Sequence, residues 1–162
     1  PDVDYGVLMI YNLSSVADFE VKNSIYDYSL ALSYLKGYLH SYPMQVKAAL
    51  PAFAWAAHFH HETLSNILNF VTYEELVENQ NLTQLTDCRF VSKKAHFLNT
   101  IPISKHDVIR YEEPDIESLK QLLRFLKKEV NQEKLEVIFF SLNAPFLINN
   151  QNIYEEVLST LN

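Results

Sequence analysis

A chain of 162 residues is long enough for one ordinary domain with a full hydrophobic core. With 48% hydrophobic and 20% charged residues it reads as globular rather than disordered, and a formal charge of −7 argues against a phosphate-tracking nucleic-acid binder, which needs clustered Lys and Arg. Two glycines, Gly6 and Gly37, rule out a glycine-rich phosphate loop, and a single cysteine, Cys88, rules out an intrachain disulfide.

Three apolar runs dominate the chain in order. The first is Val7-Leu8-Met9-Ile10-Tyr11-Asn12, a strand that turns polar at its end. A loop over Leu13–Lys22 follows, and Ser24 is placed to cap a helix whose apolar positions Ile25, Tyr28, Leu32, Leu35 and Leu39 recur every three or four residues. Pro43 ends that helix. The second run, Val46 to Trp55, then reads as one strand, completing a strand–helix–strand crossover.

From about His58 to Arg110 the pattern is irregular. Thr72-Tyr73-Glu74-Glu75 is a capping box for a short helix, and Cys88 to Ile109 contains alternating stretches suited to short antiparallel strands. This part reads as an insertion rather than a separate domain. Pro114-Asp115 opens a helix with the stripe Ile116, Leu119, Leu123, Leu126 and Val130. The third run, Leu135 to Asn143, follows, and Ile153–Leu161 is a short amphipathic helix. No apolar run approaches the roughly 20 residues of a membrane span, so no membrane contact is expected.

Nearly continuous apolar runs are typical of parallel strands covered by helices on both faces. Three such strands are an incomplete object, because their edges need covering. The fold expected is therefore the C-terminal part of a (β/α)8 TIM-like barrel over residues 1–162, with 58–110 as an irregular insertion between its last two strands and no second domain. A whole barrel takes about 250 residues. Something like 100 to 200 further residues upstream, or a second chain, would then cover the open edges. A self-contained small α/β domain is the alternative.

At these strands the sequence resembles the C-terminal half of the chitinase-like glycoside hydrolases, family eighteen, and related uncharacterised bacterial barrel proteins. Met9-Ile10-Tyr11-Asn12 is similar to that family's sixth strand, Met-x-Tyr-Asp. Leu50-Pro51-Ala52-Phe53-Ala54-Trp55 is similar to its seventh, and Ile109 to Pro114 followed by Val137 to Asn143 resembles its approach to the eighth. The resemblance implies a carbohydrate ligand, a secreted or cell-envelope location, and no cofactor. This chain lacks the Asp-x-x-Asp-x-Asp-x-Glu run of the family's fourth strand, has Asn12 where the family has Asp, and Phe140 where it has Trp. Hydrolysis needs that acid. The chain is thus expected to be catalytically incomplete alone, as part of a hydrolase-like protein or as a non-catalytic carbohydrate- or protein-binding module.

The substrate-binding candidates are Met9, Tyr11, Asn12, Phe53, Trp55 and Asn143, all at or near strand ends. Tyr11 and Asn12 offer uncharged directional donors and acceptors suited to hydroxyl groups. Phe53 and Trp55 share side-chain parity and could stack on sugar rings. No catalytic residue is assigned. His58, His60 and His61 with Glu62 are ligand types for zinc, but no spaced partner supplies a further ligand, so no metal is expected. Glu112 and Glu113 point oppositely on an extended segment, and one of them is expected to pair with Arg110 or to favour the next helix start.

Overall fold

This computed structural model describes residues 3–39, 42, 44–130, 133–141, 146, 147, 150 and 152–161. Two compact units emerge: the first is formed by Pro1–Leu13, Ile25–Phe53 and Pro114–Asn162, the second by Ser14–Ser24 and Ala54–Glu113.

The first unit is built on strands β1 (Tyr5–Met9), β2 (Gln45–Pro51) and β10 (Glu136–Phe140). They form a parallel sheet in the order β1-β2-β10, with Met9 opposite Ala49 and Ile138 opposite Ala49 from the other side. Helices α1 (Tyr28–Leu35), α3 (Ile116–Glu129) and α4 (Ile153–Leu158, continued by a 3-10 turn to Leu161) belong to the same unit. The cap of α1 is Asp27 rather than Ser24, since Asp27 Oδ1 accepts the Leu30 N–H at 2.7 Å. Asp115 caps α3 in the same way, accepting from the Ser118 N–H at 2.8 Å. Leu119, Leu122, Leu123 and Leu126 on α3 are completely buried, as are Ala48 and Leu50 on β2. Four leucines of this kind contribute on the order of 2 kcal/mol each through burial.

The outer strands β1 and β10 alternate, whereas β2 between them is buried along most of its length. Val137 and Phe139 are partly covered, and the Phe139 ring meets Tyr154 of α4 edge-on at 4.7 Å. Their neighbours Ile138 and Phe140 are exposed, as are Tyr5, Val7 and Met9 on β1. Lys47 crosses this exposed face, with its Nζ 2.9 Å from Glu136 and 3.9 Å from the centre of the Tyr5 ring.

The expected barrel is not there. The described residues hold no closed barrel and no succession of βα repeats, and most of the pairing is antiparallel. Two features of the sequence misled. The run 46–55 is not one strand, because β2 stops at Pro51 and Trp55 opens an antiparallel strand in the other unit. Apolar residues along β1 and β10 also did not mean cover on both faces, since one face remains exposed.

The second unit is a five-stranded antiparallel sheet. Its strands are β3 (Trp55–His60), β4 (Thr63–Leu68), β5 (Leu82–Gln84), β6 (Arg89–Ser92) and β9 (Val108–Glu112), in the order β4-β3-β9-β6-β5. A separate hairpin pairs β7 (His96–Leu98) with β8 (Ile101–Ile103). Helix α2 (Tyr73–Glu78) starts with the full capping box: Thr72 Oγ1 accepts the Glu75 N–H at 3.2 Å and Glu75 Oε2 accepts the Thr72 N–H at 2.8 Å. Phe59, Leu76, Phe90 and Ile109 form the buried centre. Among the described residues no helix is long and apolar enough to cross a membrane.

The β3–β4 hairpin turns through His61 and Glu62, both at positive φ, 48° and 62°. Two-residue hairpin turns favour Asn followed by Gly at such positions, because a β-carbon crowds the following carbonyl there. The double substitution His61→Asn with Glu62→Gly is expected to stabilise the protein by about 1–2 kcal/mol. A higher urea midpoint with an unchanged slope checks this, and an unchanged midpoint would show that the turn carries no strain in solution.

Candidate functional site

The carboxyl ends of the parallel strands in the first unit gather an aromatic cluster. The ladder between β1 and β2 extends to Ile10, whose N–H donates to the Ala49 carbonyl at 2.9 Å. Tyr11 leaves the strand there, and Asn12 follows at φ 52°, a left-handed conformation that Asn tolerates better than most residues. The Asn12 N–H donates to the Ile25 carbonyl at 2.7 Å, which fixes the backbone while the side chain stays exposed. The Tyr11 ring stacks on Phe140 with centroids 4.8 Å apart and planes 9° from parallel. Phe53 meets both edge-on, at 6.3 Å from Tyr11 and 6.2 Å from Phe140. Phe53 is buried, whereas Phe140 is 46% exposed and Met9 68% exposed.

Of the six candidates, the fold brings Tyr11 and Phe53 into one cluster, with Asn12 adjoining in sequence and Met9 exposed at the end of β1. Trp55 belongs to the second unit, where it faces Glu112 across the β3–β9 ladder. Asn143 lies outside the described residues. Phe140 is the member that the sequence reading left out. Its signal was available, as the last aromatic residue of the third apolar run.

No family model matches the chain, and no curated protein or solved structure matches it.

The polar residues singled out between 58 and 113 have structural partners in the second unit. His58 and His60 lie on one side of β3, two residues apart, and both turn to Asp107. His58 Nε2 is 2.7 Å from Asp107 Oδ2, and His60 Nδ1 is 2.7 Å from Asp107 Oδ1. Asn66 Nδ2 donates to His58 Nδ1 at 3.2 Å, so the neutral His58 ring carries its proton on Nε2 and donates it to Asp107. Among the described residues no group of three or more ligand-type side chains could hold a metal ion. Burial pushes the Asp107 carboxyl up, but the hydrogen bonds from His58, His60 and the Ser104 N–H outweigh it and hold Asp107 below the usual carboxylate range.

Glu112, not Glu113, is the partner of Arg110. Both point to the same side of β9, and both are buried, at 0% and 1% exposure. Arg110 Nε donates to Glu112 Oε1 at 2.7 Å, and its remaining donors reach the carbonyls of Val16, Asp18 and Phe19. Glu112 Oε2 accepts the Ser24 N–H at 2.6 Å and the Ser24 hydroxyl at 2.5 Å. The segment Ser14–Ser24 is thereby pinned against β9. This explains why Ser24 does not cap α1: its hydroxyl is committed to a buried carboxylate.

Proposed function

We propose that this chain binds carbohydrate, with the carboxyl end of the parallel sheet as the sugar platform. The observation that carries the reading is the Phe140 ring, stacked flat on Tyr11 yet left 46% exposed. A pyranose presents C–H faces that pack against aromatic rings, while its hydroxyls need uncharged donors and acceptors. The exposed Asn12 amide and the Tyr11 phenol supply those groups beside the ring. The resemblance of the strand-end residues to glycoside hydrolases supports the same class of ligand. Binding without hydrolysis is the form favoured, because Met9, Tyr11, Asn12, Phe53 and Phe140 include no carboxyl group. Glycoside hydrolysis needs at least one carboxylic acid to protonate the leaving oxygen.

Calorimetric titration of the chain with chito-oligosaccharides tests the reading. Phe140→Ala is expected to weaken binding about tenfold, the equivalent of about 1.4 kcal/mol for one lost stacking face. Because Phe140 is half exposed, the variant is expected to keep its fold, which circular dichroism checks. No heat from millimolar sugar with the native chain, or an affinity unchanged in Phe140→Ala, would end the proposal.

A further inference from the structure

The second unit contains a cleft of about 330 Å³, at the lower end of the range for small-molecule sites. Its inner wall is aromatic. The rings of Tyr73, at the start of α2, and Tyr111, on β9, lie 5.6 Å apart and are inclined at 57°. Tyr73 is held by the Gln84 amide, which donates to its hydroxyl at 2.8 Å. The Tyr111 hydroxyl donates to Glu113 Oε2 at 3.2 Å, and the Asn23 amide donates to the Glu113 carbonyl at 2.7 Å. A carboxylate is thus fixed beside two phenol rings at the edge of a preformed hollow.

The charges around Glu113 are unequal. From the Ser14–Ser24 segment comes Lys22, and from the turn before β6 comes Asp87; the two pair at 3.0 Å and cancel. Glu74 of α2 adds a second negative charge close enough to act on Glu113. Crowding by neighbouring atoms pushes the Glu113 carboxyl up, the Tyr111 hydrogen bond opposes this, and Glu74 adds to it. The cleft therefore combines the Glu113 carboxylate, with Glu74 acting on it, and two phenol rings in its wall.

We propose that this cleft binds a small organic ammonium ion, with the nitrogen on the Glu113 carboxylate and the carbon skeleton against Tyr73 and Tyr111. A charge-assisted hydrogen bond to the carboxylate and attraction to the ring faces act together on such a ligand. A neutral molecule of the same shape gains only the apolar part. Because Glu113 is ionised only above its raised pKa, affinity rises with pH through that range, and binding below it releases a proton.

The probes are phenethylammonium and its neutral counterpart 2-phenylethanol. Cys88 lines the same cleft and is the chain's only thiol, so its alkylation rate reports occupancy without any substitution. Phenethylammonium is expected to slow alkylation of Cys88 and to bind at least tenfold more tightly than 2-phenylethanol at pH 7, with a smaller preference at pH 4. Glu113→Gln is expected to abolish the preference for the cation while leaving any chito-oligosaccharide titration unchanged. Tyr73→Leu keeps an apolar wall and is expected to weaken amine binding several-fold. Equal affinity for the two probes, an alkylation rate indifferent to saturating amine, or unaltered selectivity in Glu113→Gln would each overturn the proposal.

Discussion

Arg110→Met is expected to destabilise the protein by about 3–5 kcal/mol, a large part of the 5–15 kcal/mol that holds an ordinary domain folded. The substitution keeps the volume of the side chain's stem but loses the guanidinium, which lies 4.9 Å from the centre of the Phe59 ring. What it removes is the counter-charge of Glu112, whose carboxylate then keeps only the two Ser24 donors in a site closed to water. The carbonyls of Val16 and Asp18 lose their donor as well, while that of Phe19 keeps the one from Arg89. Leaving a buried charge unpaired costs more than the intact pair contributes, so the double variant Arg110→Met with Glu112→Leu is expected to recover part of the loss. Urea unfolding of the native chain, both single variants and the double variant closes the cycle. A loss below about 1 kcal/mol for Arg110→Met, the range of exposed ion pairs, would show that the pair is solvated rather than buried.

What could be read from the sequence was mostly local. The Thr72 to Glu75 capping box involves residues three apart, and both of its hydrogen bonds are made. The apolar stripe of α3 follows from helical periodicity, and its leucines Leu119, Leu123 and Leu126 are buried, with Ile116 and Val130 at its ends half-buried. The short antiparallel strands after Cys88 follow from alternation. The errors arise where the deciding partner is remote. Ser24 looks like a helix cap until Glu112, 88 residues away, takes its hydroxyl. An apolar run looks the same whether one or both faces of its sheet are covered, so the identity of Val7, Met9 and Ile138 could not report their exposure. The break between Pro51 and Trp55 carries no polar or glycine signal, because Ala52, Phe53 and Ala54 are themselves buried. At the candidate site, Tyr11 and Phe53 could be picked from strand-end position. Their contact with Phe140 needed the parallel register that sets Phe140 opposite Pro51.

The same remoteness hid Asp107, which lies 49 residues from His58 and carries no motif of its own, and its replacement is the second large expected effect. In Asp107→Asn the amide oxygen can keep the Oδ2 place, accepting from His58 and the Ser104 N–H, while the nitrogen takes the Oδ1 place beside the half-exposed His60 ring, so what is lost is the charge of the acceptor. Replacing the charged acceptor shared by His58, His60 and the Ser104 N–H with a neutral amide costs about 1–3 kcal/mol at neutral pH. The pH dependence gives the stronger test. The folded-state carboxyl lies below its unfolded value of about 3.9, so its contribution is complete above that value and is lost as pH falls through the folded pKa. Chemical unfolding at pH 7 and 5 is therefore expected to show the full gap between native and Asp107→Asn. The gap should narrow as pH is lowered below about 4, because the native carboxyl then takes up the proton that the amide never needed. A gap that stays constant from pH 7 to the acid limit would place the cost of the substitution in packing and not in the ionised carboxylate between His58 and His60.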